Sequence, residues 1–239
     1  MKLFSKPIAV TALCAGAGLI GLCLRQWLLS AAVDSKGMLT SHPAVYLCWL
    51  PVAVVAVVLI LCAASRSRCT LVPMPLRAVG AAFSALGLTV MGVQFATRMQ
   101  GPPDIALCVL AIAGAICSTA EAWLIARRQR IPSFLYFPSI LFFIVFLLLR
   151  YRQWSCEPEL HLYFFQLTAA VGLMFSLYHK ALLSEGDARC TRYLVFSRGA
   201  LFFCICAIAG GSDSIFYGTM AVSLIFDGCT ASVTSAPKE

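Results

Sequence analysis

One carboxylate in this sequence lies where a charge is expensive. Glu121 falls inside the apolar run 104–126, about one and a half helical turns before Arg127. A carboxylate at membrane depth costs several kcal/mol when unpaired, so we expect Glu121 to be neutral, paired or facing water. Ser118 precedes it by three residues and shares its helical face. With two amides from other apolar runs, the candidate intramembrane polar site comprises Glu121, Ser118, Gln94 and Gln166.

Two interpretations of Glu121 follow from this placement. In the first, Glu121 forms a structural ion pair at the cytoplasmic interface with Arg77, Arg127 or Arg128. In the second, it couples the movement of a proton or a substrate. The pH dependence of stability and activity in Glu121→Gln separates the two.

A repeated triplet marks a second candidate site. Arg25-Gln26-Trp27 ends one apolar run, and Arg152-Gln153-Trp154 ends another. The simpler interpretation is an interfacial anchor, with tryptophan in the headgroup belt and arginine reaching the phosphates. The functional interpretation is an outward-facing polar vestibule for an anion. This candidate outer vestibule consists of Arg25, Gln26, Arg152 and Gln153.

Motifs for cofactor or metal chemistry are weak. Most of the twelve cysteines fall in apolar runs, and Cys204-Ile205-Cys206 has the wrong spacing for a zinc knuckle or a redox CxxC pair. The segment 16–21 fits GxGxxG formally, but it has no preceding strand, so close helix packing explains its small residues better. We predict no cofactor and no metal.

The elements that must position these residues are membrane helices. The chain is 61% hydrophobic and 12% charged, and its mean hydropathy is +0.89. Its apolar runs reach the roughly 20 residues that span a hydrocarbon core of about 30 Å. We predict an all-α, polytopic transmembrane bundle of eight spans, with seven as the alternative because Gly210 to Asp213 is a weak divider. The predicted spans are 8–30, 44–64, 75–98, 104–126, 134–152, 160–182, 194–210 and 213–230.

Basic residues fall in alternate connections and predict the orientation. They occupy the N-terminus, the second and fourth connections, and the sixth, while the other connections are mixed or acidic. By the positive-inside rule both termini are cytoplasmic. The net charge of +8 then reflects topology and attraction to anionic lipid, and it does not indicate a nucleic-acid partner. The basic residues of these four regions are Lys2, Lys6, Arg66, Arg68, Arg77, Arg127, Arg128, Arg130, Lys180, Arg189, Arg192 and Arg198.

An internal repeat organises these spans. The RQW triplets lie 127 residues apart, whereas 68–70 and 189–191, both RCT, lie 121 apart. A loop that is six residues longer in the first half reconciles the two offsets. We therefore predict, within the single membrane domain 1–239, two tandem four-helix repeats at 1–130 and 131–239, related by a pseudo-two-fold axis along the membrane normal.

The segment Arg152-Gln153-Trp154-Ser155-Cys156-Glu157-Pro158-Glu159-Leu160 and the aromatic residues after it carry one resemblance. The chain resembles uncharacterised multi-pass membrane proteins of Gram-positive anaerobic bacteria. That group has no known activity, so the resemblance transfers no functional residue. It implies a location in a bacterial plasma membrane.

Two function classes fit these patterns. Sparse charge at membrane depth favours a non-catalytic membrane component, such as a partner subunit, sensor or assembly factor that binds another membrane protein or itself within the bilayer. The alternative is a small permease or transporter with a path between the two repeats. An enzyme ranks third, because the sequence contains no recognisable catalytic pair. Substrate and oligomeric state do not follow from the sequence.

Overall fold

The computed structural model shows a bundle of helices joined by short connections. It describes residues 7–31, 43–64, 68–71, 75–98, 101–154, 163–186, 190–209, 211 and 213–234. Several residues that entered the topology argument lie outside these ranges, namely Lys2, Lys6, Arg66 and Arg189. The elements in chain order are α1 (Pro7–Ala31), α2 (Pro43–Leu47), α3 (Trp49–Ala64), β1 (Arg68–Leu71), α4 (Pro75–Arg98), α5 (Pro102–Ala126), a 3₁₀ turn (Ser133–Tyr136), α6 (Phe137–Trp154), α7 (Phe164–Glu185), α8 (Cys190–Ala207), α9 (Ser214–Thr230) and β2 (Ala231–Thr234).

Six of these helical segments are long and apolar enough to cross a membrane. They are Ile8–Ala31, Pro43–Ala63, Pro75–Arg98, Pro102–Ala126, Ser133–Arg152 and Phe164–Glu185. The predicted helical fold class is therefore confirmed, and the chain carries the apolar helices of a membrane protein. The last two predicted spans coincide with α8 and α9, of 18 and 17 residues. A count of eight crossings stays a prediction.

Local sequence explains several helix ends. Helices α1, α2, α4 and α5 all begin with proline, whose missing N–H and fixed φ suit the first position of a helix. Helix α7 ends at Gly186, which adopts a left-handed φ of 87° and donates its N–H to the Leu182 and Leu183 carbonyls. Glycine reaches this conformation without a Cβ penalty.

Contacts between helix ends show that α8 and α9 run between the same two ends of the bundle as the longer helices. At one end, Arg25 near the end of α1 reaches Cys206 near the end of α8. At the other, Tyr193 near the start of α8 reaches Asp227 near the end of α9. We call these the Arg25 end and the Asp227 end. Helix α1 begins, and α9 ends, at the Asp227 end, where Thr11 contacts Gly228.

The core is built around α8. This helix packs against α1, α3, α7 and α9, and its side chains at Leu201, Phe202, Cys204 and Cys206 are fully buried. Gly21 of α1 permits one close approach, because a Cβ there would lie 2.5 Å from the Cys206 sulfur. The predicted packing role of the small residues in α1 is thus realised inside the chain.

Large apolar side chains also cover the outside of the bundle. Exposed residues include Ile20 on α1, Ile60 on α3, Val93 on α4 and Ile116 on α5, each more than half exposed. A bundle with apolar residues both inside and outside suits a lipid environment.

A two-stranded antiparallel ladder was not predicted. Strand β1 pairs with β2 in the register Arg68 to Thr234 and Leu71 to Ala231. Each strand has only four residues, which is too short for an alternating pattern to stand out. The two RCT triplets differ in structure, since 68–70 lies in β1 whereas Cys190 and Thr191 begin α8. The division into repeats 1–130 and 131–239 stays a prediction.

Candidate functional site

Four ionisable side chains meet inside the Asp227 end of the bundle. Arg77 comes from α4, Glu121 from α5, Lys180 from α7 and Asp227 from α9, and all are at least 92% buried. We call these four residues the ionic cluster. The Lys180 Nζ lies 2.8 Å from Asp227 Oδ2 and 3.0 Å from Glu121 Oε1. Arg77 Nη2 lies 3.8 Å from the same Glu121 oxygen.

The ionic cluster is balanced when all four groups are charged, with two cations and two anions. Lys180 is the centre of the arrangement, because its single ammonium bridges both carboxylates. Such pairing offsets the cost of removing charges from water. Removing one member would leave an uncompensated charge in a buried site.

Two buried tyrosines extend the ionic cluster. Tyr136, in the 3₁₀ turn before α6, donates a hydrogen bond to Glu121 Oε1 over 2.9 Å. Tyr193, near the start of α8, donates to Asp227 Oδ2 over 3.0 Å. Each carboxylate therefore receives one ammonium and one phenol on a single oxygen. Hydrogen bonds to charged groups are stronger than neutral ones, so the tyrosines also hold the carboxylates in place.

Two buried polar atoms of the ionic cluster have no hydrogen-bond partner among the described residues. They are the Nε of Arg77 and the Oδ1 of Asp227. The second carboxylate oxygen of Asp227 is thus an acceptor that is held away from lipid. An acceptor of this kind in a membrane interior is costly unless something polar reaches it.

A polar cavity adjoins the ionic cluster. Its walls include Lys180, Asp227 and Tyr193, and its volume open to water is about 20 Å³, which is room for about one water molecule. Five serines from five helices also line it, and the hydroxyls of two of them, Ser84 and Ser223, are 2.9 Å apart. The five are Ser84, Ser118, Ser139, Ser176 and Ser223.

Close helix contacts bring these side chains together. A Cβ on Gly80 would lie 3.1 Å from the Ser223 carbonyl oxygen, so glycine lets α4 approach α9 beside Asp227. A Cβ on Gly114 would lie 2.9 Å from the Ser139 hydroxyl, so α5 lies equally close to α6. Small residues at such crossings are typical of membrane helices.

The structure brings together two of the four residues predicted for the intramembrane polar site. Glu121 belongs to the ionic cluster, and Ser118 lines the adjoining cavity. Gln94 lies 17 residues after Arg77 on α4, and Gln166 lies 14 residues before Lys180 on α7, which places both amides roughly 20–25 Å away along their helices. Of the arginines suggested as partners for Glu121, Arg77 is the one in contact with it.

Of the residues predicted for the outer vestibule, Arg25 is buried, whereas Gln26 and Arg152 are exposed. Arg25 is buried, donates to the Cys206 carbonyl oxygen over 2.8 Å and lies 5.2 Å from the centre of the Phe165 ring. Gln26 is exposed on α1, while Arg152 is exposed in the last turn of α6, next to Gln153. Arg25 therefore fixes α1 to α7 and α8.

Two of the four residues of the ionic cluster, Lys180 and Asp227, were not predicted as site residues. The sequence marks Lys180 as one of the basic residues that set the topology, and it gives Asp227 no role. Both carried a usable signal, because Lys180 falls inside the predicted span 160–182 and Asp227 inside the predicted span 213–230, each within about one turn of the end. Tyr136 and Tyr193 carried no signal, since tyrosine is ordinary near membrane interfaces.

In the part of the chain that the structure describes, no three histidine, cysteine or acidic residues are grouped so that they could hold a metal ion. The buried cysteines Cys14, Cys48, Cys62, Cys108, Cys204 and Cys206 are free thiols in the helical core. The predicted absence of a cofactor stays a prediction.

The fold and the ionic cluster together define a helical protein with membrane-length apolar segments and a buried ionisable site. No protein-family model, curated protein or solved structure matches the chain.

Proposed function

We propose that this protein is a multi-pass plasma membrane protein of the permease class, which moves protons, alone or together with a small polar solute, by way of the ionic cluster. The observation that carries the proposal is the Lys180 bridge between Glu121 and Asp227 beside a serine-lined cavity. We also propose that the membrane is that of a bacterial cell, on the basis of the resemblance described above. The charge distribution supports cytoplasmic termini.

Energetics favour a functional interpretation of the ionic cluster. The four groups lie within about two turns of helix ends, and what makes them costly is their burial away from water, since a buried charge is expensive unless it is paired. Apolar residues of similar volume often replace a buried ion pair with no loss of stability. Stability alone therefore gives little reason to keep four ionisable groups together at this position. Protonation of one carboxylate would leave the ammonium of Lys180 paired with the other carboxylate. The ionic cluster can therefore switch between two arrangements.

The distribution of the ionic cluster over the chain supports a path between the two predicted repeats. Residues 1–130 supply Arg77 and Glu121, and residues 131–239 supply Lys180 and Asp227. Each half gives one cation and one anion. The cavity follows the same pattern, with Ser84 from the first half facing Ser223 from the second. Relative movement of the halves would break and remake these contacts.

The ionic cluster counts against a non-catalytic component. Sparse charge at membrane depth favours such a component, whereas four ionisable residues lie buried in contact here. Pumps and ion-coupled carriers keep several such groups. The component interpretation still makes its own prediction, a stoichiometric partner on purification from native membranes.

Proton movement in vesicles tests the proposal. Purified protein is reconstituted into liposomes that contain a pH-sensitive dye, and a potassium diffusion potential, negative inside, is imposed with valinomycin. We expect internal acidification faster than in protein-free liposomes, in buffer or on addition of a panel of small polar solutes. Glu121→Gln should abolish the difference. Glu185→Gln, which neutralises an exposed carboxylate at the same end of the bundle, should leave it unchanged.

Two results would overturn the proposal. One is a wild-type protein that is folded and monodisperse in the liposomes but moves protons no faster than empty vesicles under every solute. The other is equal flux in wild type and in a folded Lys180→Met, Asp227→Leu double variant, which keeps the Arg77 and Glu121 pair and so stays charge-balanced.

A further inference from the structure

One carboxylate oxygen of the ionic cluster is not used by the ion pairs. Oδ2 of Asp227 receives both Lys180 and Tyr193, whereas Oδ1 has no hydrogen-bond partner among the described residues, although Asp227 is only 3% exposed. Oδ1 faces α4, because it lies 3.6 Å from the position that a Cβ on Gly80 would take. A buried carboxylate oxygen without a donor is costly, so this position calls for a small polar ligand.

The serine-lined cavity begins about one helical turn from this oxygen. Ser84 follows Gly80 by four residues on α4, and Ser223 precedes Asp227 by four residues on α9, so both hydroxyls lie along the same helix contact as Oδ1. One turn rises about 5.4 Å, and a single water bridges groups about that far apart, because each of its hydrogen bonds spans about 2.8 Å. Ser84, Ser223 and Asp227 all line the cavity, whose volume of about 20 Å³ suits one water.

Access to this cavity distinguishes the two carboxylates of the ionic cluster. Among the described residues, Asp227 is the carboxylate that lines the cavity, and Glu121 is not part of the lining. Oε1 of Glu121 instead receives Lys180, Tyr136 and, at 3.8 Å, Arg77. A proton that arrives through the cavity therefore meets Asp227 before Glu121.

The surroundings of Asp227 tolerate the loss of its charge. Helix α1 also packs on α9, and the residue that it brings against Gly228 is Thr11, which is not ionisable. When Asp227 is neutral, the ammonium of Lys180 keeps Glu121 as its anionic partner over 3.0 Å. The charged or titratable groups around Asp227 are Lys180 of α7 at 2.8 Å, Tyr193 of α8 at 3.0 Å, Arg77 of α4, which acts on it electrostatically, and Glu121 of α5 on the other side of Lys180.

We infer that the cavity holds one water, which donates hydrogen bonds to Asp227 Oδ1 and to the hydroxyl pair of Ser84 and Ser223, and that Asp227 takes up the transported proton through this water. The inference deepens the proposed function and rests on it for the movement of protons. In this step a hydronium ion in the cavity gives one proton to Oδ1. An O–H bond forms on the carboxylate, one O–H bond of the hydronium breaks, and a neutral water remains.

Infrared difference spectroscopy of the purified full chain, in a detergent without ester groups, tests which residue takes the proton. Lowering the pH should produce the carbonyl stretch of a protonated carboxylic acid. Labelling the side-chain carboxyl of aspartate with carbon-13 should shift this band, whereas the same label in glutamate should leave it in place. Both samples have the wild-type sequence, so the result does not depend on the folding of a variant. Asp227→Asn should then remove the band.

Ser84→Ala combined with Ser223→Ala tests the water. We expect the acid band to move to higher frequency, because the carboxyl group loses its bonded water, and the water band that is sensitive to oxygen-18 to disappear. Proton flux in liposomes should fall roughly tenfold, the size of effect expected when one hydrogen bond is lost. The matched control, Ser30→Ala with Ser184→Ala, removes two hydroxyls that bond to carbonyls of their own helices and should behave as wild type.

The outcomes separate this inference from the proposed function. An acid band that follows the glutamate label would overturn the role of Asp227 and leave proton transport intact. A water band and a flux that are equal in the cavity variant and the control variant would overturn the water. An aspartate band in a protein that moves no protons would refute the proposed function and still support Asp227 as the residue that the cavity protonates.

Discussion

Lys180 is the residue on which the ionic cluster depends, since its ammonium contacts both carboxylates. With Lys180→Met, Glu121 keeps Arg77 as a partner, whereas Asp227 loses its salt bridge and keeps the hydrogen bond from Tyr193. We expect the free energy of unfolding to fall by about 3–5 kcal/mol, because a buried carboxylate loses its counter-ion. Thermal unfolding of the purified protein in detergent measures the loss.

Adding Asp227→Leu to Lys180→Met should restore most of that stability, because the remaining pair is neutral overall and apolar replacement of a buried pair is often neutral or stabilising. The control is Glu185→Gln at the exposed end of α7, with an expected change of less than about 0.5 kcal/mol. The single variants Lys180→Met and Asp227→Leu should not add. If the double variant lost the sum of the two single losses, the direct coupling of Lys180 to Asp227 would be contradicted.

Single residues in the ionic cluster were predictable in proportion to their depth in an apolar run. Glu121 stood out because the run continues on both sides of it, and the need for a partner followed from the cost of burial. Its contact with Lys180 joins positions 59 residues apart on α5 and α7. Contacts between distant helices depend on how the bundle packs, and one sequence without that packing does not determine them.

Helix α9 is the element that ion pairs hold at both ends. Asp213, just before its first residue, pairs with Arg150 of α6 over 3.1 Å, and Asp227 near its last turn pairs with Lys180 of α7 over 2.8 Å. The two acidic residues lie at opposite ends of the bundle. If α9 moves in transport, one of these contacts has to open while the other holds.

The contact at the Arg25 end predicts a measurable difference between two neighbouring arginines. Arg150→Gln leaves the buried Asp213 carboxylate without its cation, so we expect a loss of about 3 kcal/mol in the free energy of unfolding. Arg152→Gln, two residues later and exposed, should cost less than about 1 kcal/mol. Thermal melts of the two variants compare them directly. Equal losses would contradict a specific role for the Arg150 and Asp213 pair.

Close packing of α7 on α8 makes a second prediction at the scale of elements. A Cβ on Gly172 would lie 3.0 Å from both the Cα and the Cβ of Ala200, so the two helices would have to separate by a few tenths of an ångström. We therefore expect Gly172→Ala to destabilise the protein by about 1–3 kcal/mol. Gly16→Ala on α1, where a Cβ meets nothing within 4 Å, should be neutral or stabilising by up to about 1 kcal/mol. A stable Gly172→Ala variant would contradict the observed helix spacing.

Elements were easier to predict than their contacts. Each of the eight predicted segments contains a helix among its described residues, because an apolar run of this length has few alternatives in a membrane. Segment 194–210 was placed about one turn late, since α8 begins at Cys190 among polar residues that hydropathy assigns to a connection. The division of 44–64 into α2 and α3 around Cys48 had no sequence signal apart from Pro51.

For the whole molecule, the helix directions permit a test of orientation. Helix α5 begins at the Arg25 end with Pro102 and ends at the Asp227 end before exposed Arg127 and Arg128. We expect an epitope inserted after Arg128 to bind antibody only after the cell membrane is opened, and one inserted after Gly101 to bind on intact cells. The reverse pattern, in a protein with normal yield and melting temperature, would overturn the predicted cytoplasmic termini.

The ladder between β1 and β2 has a consequence for biogenesis. Strand β1 leaves the ribosome after the third helix, but β2 follows α9, so about 160 residues are synthesised before the strands can pair. The residues of the ionic cluster are also synthesised at different times. Arg77 and Glu121 can meet early, whereas Lys180 can pair with Asp227 only after α9 has been made. Insertion therefore leaves an ammonium in the bilayer without its closest carboxylate until the last helix arrives. A nascent chain that stalls before α9 would therefore be exposed to quality-control proteases with β1 unpaired and Lys180 lacking Asp227.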